Sequence, residues 1–154
     1  MQASMTSGTR RMLLIIAVLA FCGILVSSVS LSHHYSTSTS SFCNFGETMN
    51  CDIVNRSIYS TVLGIPVALI GILGYAGLLI LAIWHRAKGE RPMLLLLASV
   101  AGLSFALYLT YVEGFVLGVW CVLCLSSLAL IVTITALSST LAAQAMWRAS
   151  APHP

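Results

Sequence analysis

The chain has 154 residues, of which 58% are hydrophobic and only 7% are charged, with a formal net charge of +3 at pH 7. Soluble domains carry about a quarter charged residues, so this composition excludes a water-soluble globular protein. It predicts an integral membrane protein that contacts lipid, and we expect no nucleic-acid partner.

Four apolar segments without Lys, Arg, Asp or Glu follow one another along the chain. Each reaches the roughly 20 residues that an α-helix needs to cross the hydrocarbon core of a bilayer, where backbone groups must be satisfied within the segment. The predicted helices are 12–31, 66–84, 92–112 and 115–141, and the loop between the first two is 32–65. We therefore predict one all-α membrane domain over residues 1–154, a bundle of four transmembrane helices with a redox-active outer loop.

The first segment also has the features of a secretory signal, because Arg10 and Arg11 precede an apolar run. That run has about 20 residues, whereas the apolar region of a signal peptide has roughly 7–15. The length favours a retained membrane helix. Cys22 lies in the middle of this helix, and we expect it to be a small buried apolar residue.

Basic residues indicate the orientation of the bundle. They precede the first helix, follow the fourth, and lie between the second and third: Arg10, Arg11, Arg86, Lys88, Arg91 and Arg148. The positive-inside rule then places both termini in the cytoplasm and the 32–65 loop outside. Within that loop, Ile53, Val54 and Ile58 have roughly helical spacing, which predicts a short helix over the end of the bundle.

Four further cysteines form two pairs on the outer side. Cys43 and Cys51 have a C-x7-C spacing in the loop, and Cys121 and Cys124 have a C-x-x-C spacing at the start of the fourth helix. Disulfides form and persist on that side of the membrane. Three interpretations are open: a metal site, a structural staple and a chain of exchanging disulfides.

The spacing favours reversible redox chemistry. A structural zinc site would need two C-x-x-C pairs or nearby histidines, so we expect no metal. A disulfide between Cys121 and Cys124 closes a very small loop and restrains the unfolded chain little. The start of a helix is expected to lower the pKa of Cys121. Cys124 lies one turn deeper, towards lipid-soluble reactants.

The order of the two pairs resembles the vitamin K epoxide reductase family, especially its bacterial members. Ser57 follows Cys51 by six residues, and "LGIPVALIG" opens the second helix, as in that family. The resemblance implies a four-helix bundle around a quinone in a bacterial inner membrane. It implies that the protein oxidises a thioredoxin-like secreted or periplasmic protein and passes two electrons to the quinone, ubiquinone or menaquinone.

Residue roles follow from the resemblance by position. Cys43 would exchange with the protein partner, Cys51 would carry electrons to Cys121, and Cys124 would lie beside the quinone. Ser57 would lie close to the same site. Because the chain ends thirteen residues beyond Leu141, the resemblance implies that the thioredoxin-like partner is a separate protein.

Two positions of the quinone pocket depart from the vertebrate members. Ser60 and Leu128 stand where those members have an Asn and a Tyr that hydrogen-bond the substrate. This disfavours reduction of vitamin K epoxide and leaves simple quinone reduction. Three alternatives remain: a reductase of vitamin K quinone or epoxide, a non-catalytic protein braced by disulfides, and a quinone-linked disulfide generator of the type with the two pairs in the opposite order.

Other polar residues of the helices have two interpretations each. Tyr75, Tyr108 and Tyr111 could hydrogen-bond a quinone, but packing or interfacial roles are commoner. Glu113 is expected to meet solvent at the outer end of the third helix, with proton donation to the reduced quinone as the alternative. The loop pair either swings as a mobile arm or stays docked on the bundle.

Overall fold

A computed structural model describes residues 7–35, 51–62, 64–88 and 92–150, and the statements below concern those residues. The long helices are α1 (Ser7–Tyr35), α3 (Val67–Lys88), α4 (Pro92–Tyr111) and α5 (Val122–Ser150). Between α1 and α3 lie the short helix α2 (Cys51–Arg56), a 3-10 turn (Ile58–Ser60) and a hairpin of β1 (Thr61–Val62) and β2 (Ile65–Pro66). A π-helical segment, Val112–Leu117, continues α4.

The four long helices form the predicted bundle, and each is long and apolar enough to cross a membrane. Helix α1 packs against α3 and α5, and α5 also packs against α4, whereas α3 and α4 touch only sparsely. The shared core is built from apolar residues of all four helices: Leu13, Ile16, Ala20, Tyr75, Leu78, Ala82, Leu95, Ile131, Ile134 and Leu141. The prediction of an all-α membrane protein is confirmed, and the two-residue strands are the only sheet in the described residues.

Helix α1 belongs to this core. Ile16 and Ala20 are fully buried within the bundle, which favours the membrane-helix interpretation over a signal peptide. Cys22 lies on the same helix and is half-buried, so it is more accessible than expected. With 29 residues, α1 is about 43 Å long, which exceeds the thickness of a hydrocarbon core.

The helix ends differ from the sequence-based bounds. Pro92 opens α4 as predicted, but Pro66 lies in β2, and α3 begins at Val67. The predicted fourth helix began at residue 115, whereas α5 begins at Val122. The π-helical segment lies before it, and Gly118, with φ of 64°, follows that segment. Apolar composition alone does not distinguish these backbone conformations, because apolar residues occur in all of them.

Small residues bring α1 and α3 close together. A methyl group added to Gly23 would lie 2.6 Å from Cγ of Tyr75, and one added to Gly71 would lie 2.8 Å from Oγ of Ser27. The hydroxyl of Tyr75 then reaches across to α5, where it donates to the carbonyl oxygen of Ser127 at 2.8 Å and lies 2.9 Å from its Oγ. Gly23 on α1 and Gly71 on α3 therefore let the two helices approach closely.

Candidate redox site

Three cysteines meet at one end of the bundle. Cys51 is the first residue of α2, Cys121 directly precedes α5, and Cys124 lies in the first turn of α5. The side chain of Cys121 hydrogen-bonds the side chains of both Cys51 and Cys124. Cys51 and Cys121 are completely buried, and Val54 and Val119 surround them. We call Cys51, Cys121 and Cys124 the cysteine cluster.

Hydrogen bonds at the start of α5 hold the backbone of Cys121 in place. The carbonyl oxygen of Cys121 accepts the N–H of Leu125 at 3.0 Å, which starts the helical hydrogen bonding. The N–H of Cys121 itself donates to Oε2 of Glu113 at 3.3 Å. Glu113 comes from the π-helical segment, so a hydrogen bond from that segment fixes the backbone at the first cysteine of the C-x-x-C pair.

Helix α2 is tied to α1 by hydrogen bonds that the sequence did not suggest. Ser30 donates to Oδ1 of Asn55 at 3.0 Å, and Nδ1 of His34 lies 2.6 Å from the carbonyl oxygen of Asn55. The predicted short helix is thereby confirmed over Cys51–Arg56, where it covers the end of the bundle and carries Cys51 to Cys121. Cys43 lies outside the described residues.

Glu113 is buried, and the expectation that it meets solvent is wrong. Only 2% of its surface is exposed. Besides the N–H of Cys121, its carboxyl group hydrogen-bonds the side chain of Cys124. The carboxyl oxygen and the sulfur atoms of Cys121 and Cys124 lie within 4.8 Å of one another. The hydrogen bond allows a proton to be exchanged between Glu113 and Cys124. A metal ion would also fit the three ligand atoms, so the absence of a metal stays a prediction.

The acidity of Cys121 also differs from the expectation. The hydrogen bond with Cys124 and then burial raise the pKa of the Cys121 thiol, and the hydrogen bond with Cys51 only partly opposes them. The expected lowering by the helix start is therefore wrong for Cys121. Its proton is held between two sulfur atoms inside an apolar cluster, where a negative charge is costly.

A cavity of about 460 Å³ adjoins the cluster. Its walls come from all four long helices and are mostly apolar, and Cys124, Glu113 and Ser127 line it together with Ser57 and Ser60. The hydroxyl groups of Ser57 and Ser60 donate to the carbonyl oxygens of Val54 and Ser57, at 2.8 and 2.7 Å.

Of the remaining predicted pocket residues, Leu128 packs against the core of the bundle and is not among the lining residues. Tyr75 lines the cavity, but its hydroxyl group is bonded to Ser127, as described above. Tyr108 and Tyr111 are more than half exposed on the outside of α4. The packing and interfacial interpretations of the three tyrosines are therefore favoured.

A profile of the vitamin K epoxide reductase family matches residues 14–139, about four fifths of the chain. The chain belongs to the vitamin K epoxide reductase family. This confirms the resemblance drawn from the cysteine order, and it makes the protein an integral membrane oxidoreductase. Proteins of this family use quinones, and the cavity fits such a group, because it is apolar and has a redox-capable sulfur and hydrogen-bonding groups at one end.

Burial of Glu113 had a signal in the sequence. It is the one acidic residue between Pro92 and Leu141, and it lies eight residues before Cys121. An ionisable residue inside a membrane segment indicates function more often than solvent contact. Nothing in the sequence, by contrast, pairs Asn55 with Ser30, because the two residues are 25 positions apart.

Proposed function

We propose that this family member oxidises the thiols of a thioredoxin-like protein and passes the electrons to a membrane quinone, thereby promoting disulfide formation. The observation that carries the proposal is the continuous series of side-chain contacts from Cys51 through Cys121 to Cys124, which ends at the wall of the apolar cavity. A disulfide can be passed along such a series by attack of one sulfur on the next.

The exchange would proceed in a defined order. The partner reduces a Cys43–Cys51 disulfide, and the thiolate of Cys51 attacks the sulfur of Cys121 in a Cys121–Cys124 disulfide. The Cys51–Cys121 bond forms, and Cys124 leaves as a thiolate. Cys43 then attacks Cys51, which restores the loop disulfide and releases Cys121. A quinone bound in the cavity would supply the final acceptor, since its reduction takes up two electrons and two protons.

The charge bias of the loops supports the placement of this chemistry on the periplasmic side, with both termini in the cytoplasm. The two positions at which the chain departs from the vertebrate members support quinone reduction in preference to epoxide reduction. Leu128 offers no hydrogen-bonding group, and the hydroxyl group of Ser60 donates to a backbone carbonyl.

The burial of Cys51 supports a docked arrangement for the inner half of the loop pair. A swinging carrier would hold Cys51 near water for part of the cycle, whereas here it is covered by Val54, Val119 and the other two cysteines. In the docked arrangement, only the Cys43 end needs to meet the partner protein.

The test uses the purified protein in detergent with a reduced thioredoxin-like substrate and a ubiquinone or menaquinone analogue. Cys43→Ala and Cys124→Ala are each expected to abolish quinone-coupled substrate oxidation. Cys124→Ala should spare disulfide exchange between the loop pair and the substrate, because that exchange needs neither Cys124 nor quinone. The loop disulfide and the mixed disulfide with the substrate are detected by mass spectrometry without reduction.

Cys22→Ala is the matched control, because Cys22 lies on α1 away from the cluster and does not line the cavity. It should keep the turnover of the unmodified protein. Turnover that survives in both Cys43→Ala and Cys124→Ala would refute the proposed electron route.

A further inference from the structure

Glu113 holds a carboxyl group against a reacting sulfur and away from water. Its hydrogen-bond partners, among the residues that the structure describes, are the side chain of Cys124 and the N–H of Cys121. The backbone contact orients the carboxyl group, and the contact with Cys124 places it beside the sulfur that lines the cavity. Because only 2% of the surface of Glu113 is exposed, bulk water has little access to its carboxyl group.

The exchange chemistry needs a proton at this point. When the Cys121–Cys124 disulfide opens, the sulfur of Cys124 leaves with a negative charge. A thiolate in an apolar cluster is costly unless a proton or a hydrogen bond reaches it. Cys121 is completely buried, and it is bonded to Cys51 at that moment of the exchange, so it has no proton to give.

We propose that Glu113 is a catalytic acid–base group that protonates the sulfur of Cys124 when the Cys121–Cys124 disulfide opens and takes the proton back when the disulfide forms. The inference rests on the proposed function and deepens it. The step is balanced: the Cys51–Cys121 bond forms, the Cys121–Cys124 bond breaks, and the proton of the Glu113 carboxyl group moves to Cys124, leaving a carboxylate.

The local backbone fits this role. Glu113 lies in the π-helical segment that follows α4, and such widened turns are frequent at functional sites because they redirect side chains. Among the described residues, the titratable groups that interact with Glu113 and Cys124 are the cysteines of the cluster. The other titratable groups that line the cavity are His34, Tyr59 and Tyr75.

A purely structural role is the competing explanation, since the carboxyl group also accepts the N–H of Cys121 at the start of α5. Glu113→Gln separates the two roles. The amide oxygen can still accept that N–H, but the amide group cannot transfer a proton. Glu113→Asp is the conservative partner, because it restores a carboxyl group on a shorter side chain.

The experiment uses the oxidised full chain in detergent with a small dithiol and a chelator, and without quinone or protein partner. Samples quenched at intervals are alkylated, and mass spectrometry follows the opening of the Cys121–Cys124 disulfide from about pH 5.5 to 9. The unmodified protein should give a bell-shaped profile, since attack by Cys51 requires a thiolate and the departure of Cys124 requires the protonated carboxyl group.

Glu113→Gln should open the disulfide about 100-fold more slowly near neutral pH and keep only the limb that rises with pH. Glu113→Asp should recover part of the rate and the falling limb. The thermal unfolding midpoint of Glu113→Gln should equal that of the unmodified protein. The proposal would be overturned if Glu113→Gln kept the rate and the bell-shaped profile of the unmodified protein. It would also be overturned if Glu113→Gln and Glu113→Asp showed the same loss of rate and the same fall of the unfolding midpoint.

The result can be told apart from failure of the proposed function. The assay contains no quinone and no protein thiol. If the protein does not react with a quinone or with a thioredoxin-like protein, the pH profiles of the two variants are therefore unaffected. If the Cys121–Cys124 disulfide cannot be formed in the unmodified protein, both proposals are overturned.

Discussion

Replacement of Gly23 by alanine tests how the bundle is held together beside the cavity. The added methyl carbon would lie 2.6 Å from Cγ of Tyr75, whereas carbon atoms pack at about 3.5–4.0 Å. Either α1 and α3 move apart by about 1 Å, or the ring of Tyr75 leaves its place. In the second case, the hydroxyl group of Tyr75 also loses its contacts with Ser127.

The expected loss of stability follows from these two terms. Overpacking a core costs about 1–3 kcal/mol, and each hydrogen bond lost adds about 0.5–1.5 kcal/mol. We expect Gly23→Ala to lower the free energy of unfolding by about 2–4 kcal/mol. By the scaling of soluble domains, the midpoint of thermal unfolding should fall by roughly 5–15 °C.

The assay is thermal unfolding in detergent, followed by the labelling of cysteines that become exposed. Gly77→Ala is the matched control on α3, because a methyl group there has no atom within 4 Å. It should leave the midpoint unchanged or raise it slightly, as alanine favours helix. Adding Tyr75→Leu to Gly23→Ala should cost less than the sum of the two single changes, since the smaller side chain makes room. If Gly23→Ala unfolds at the same temperature as Gly77→Ala, the close packing of α1 on α3 is refuted.

Two further predictions concern Tyr75 and Cys121. Tyr75→Phe keeps the ring but removes the hydroxyl group bonded to Ser127, so thermal unfolding should show a loss of about 1 kcal/mol, while Tyr108→Phe on the exposed side of α4 should show none. In the folded protein, the hydrogen bond with Cys124 raises the pKa of Cys121. The protonated thiol therefore stabilises the reduced protein fully below the ordinary cysteine pKa of about 8.5, and this stabilisation is lost as the pH rises above that value. The unfolding midpoint of the reduced protein should therefore fall in the alkaline range, and less so in Cys124→Ala; a pH-independent midpoint would contradict the raised pKa.

The long helices were predictable because a membrane segment must be apolar along its whole length and needs about 20 residues. The start of α5 was not. Residues 115–121 are as apolar as the helix that follows, and the turn at Gly118 depends on a backbone conformation with positive φ that composition does not reveal.

The site was predictable where chemistry depends on residue type and order, as in the meeting of Cys51 with Cys121 and Cys124. It was not predictable where it depends on distant contacts. The hydrogen bonds of Asn55 with Ser30 and His34 join separate helices, and the burial of Glu113 depends on how the chain turns between α4 and α5. The pKa of Cys121 was mispredicted for the same reason, since the hydrogen bond with Cys124 that raises it depends on how the two side chains pack.

Complete burial of Cys51 and Cys121 protects their sulfur atoms from small redox reagents in water. A small thiol such as glutathione, or a peroxide dissolved in water, must touch a sulfur atom to react with it, and neither sulfur has accessible surface in this conformation. Cys51 and Cys121 are thus insulated from the soluble redox buffer. In the proposed electron route, soluble thiols and peroxides would react only at its two ends, and the oxidation state of Cys51 and Cys121 would follow the protein partner and the quinone.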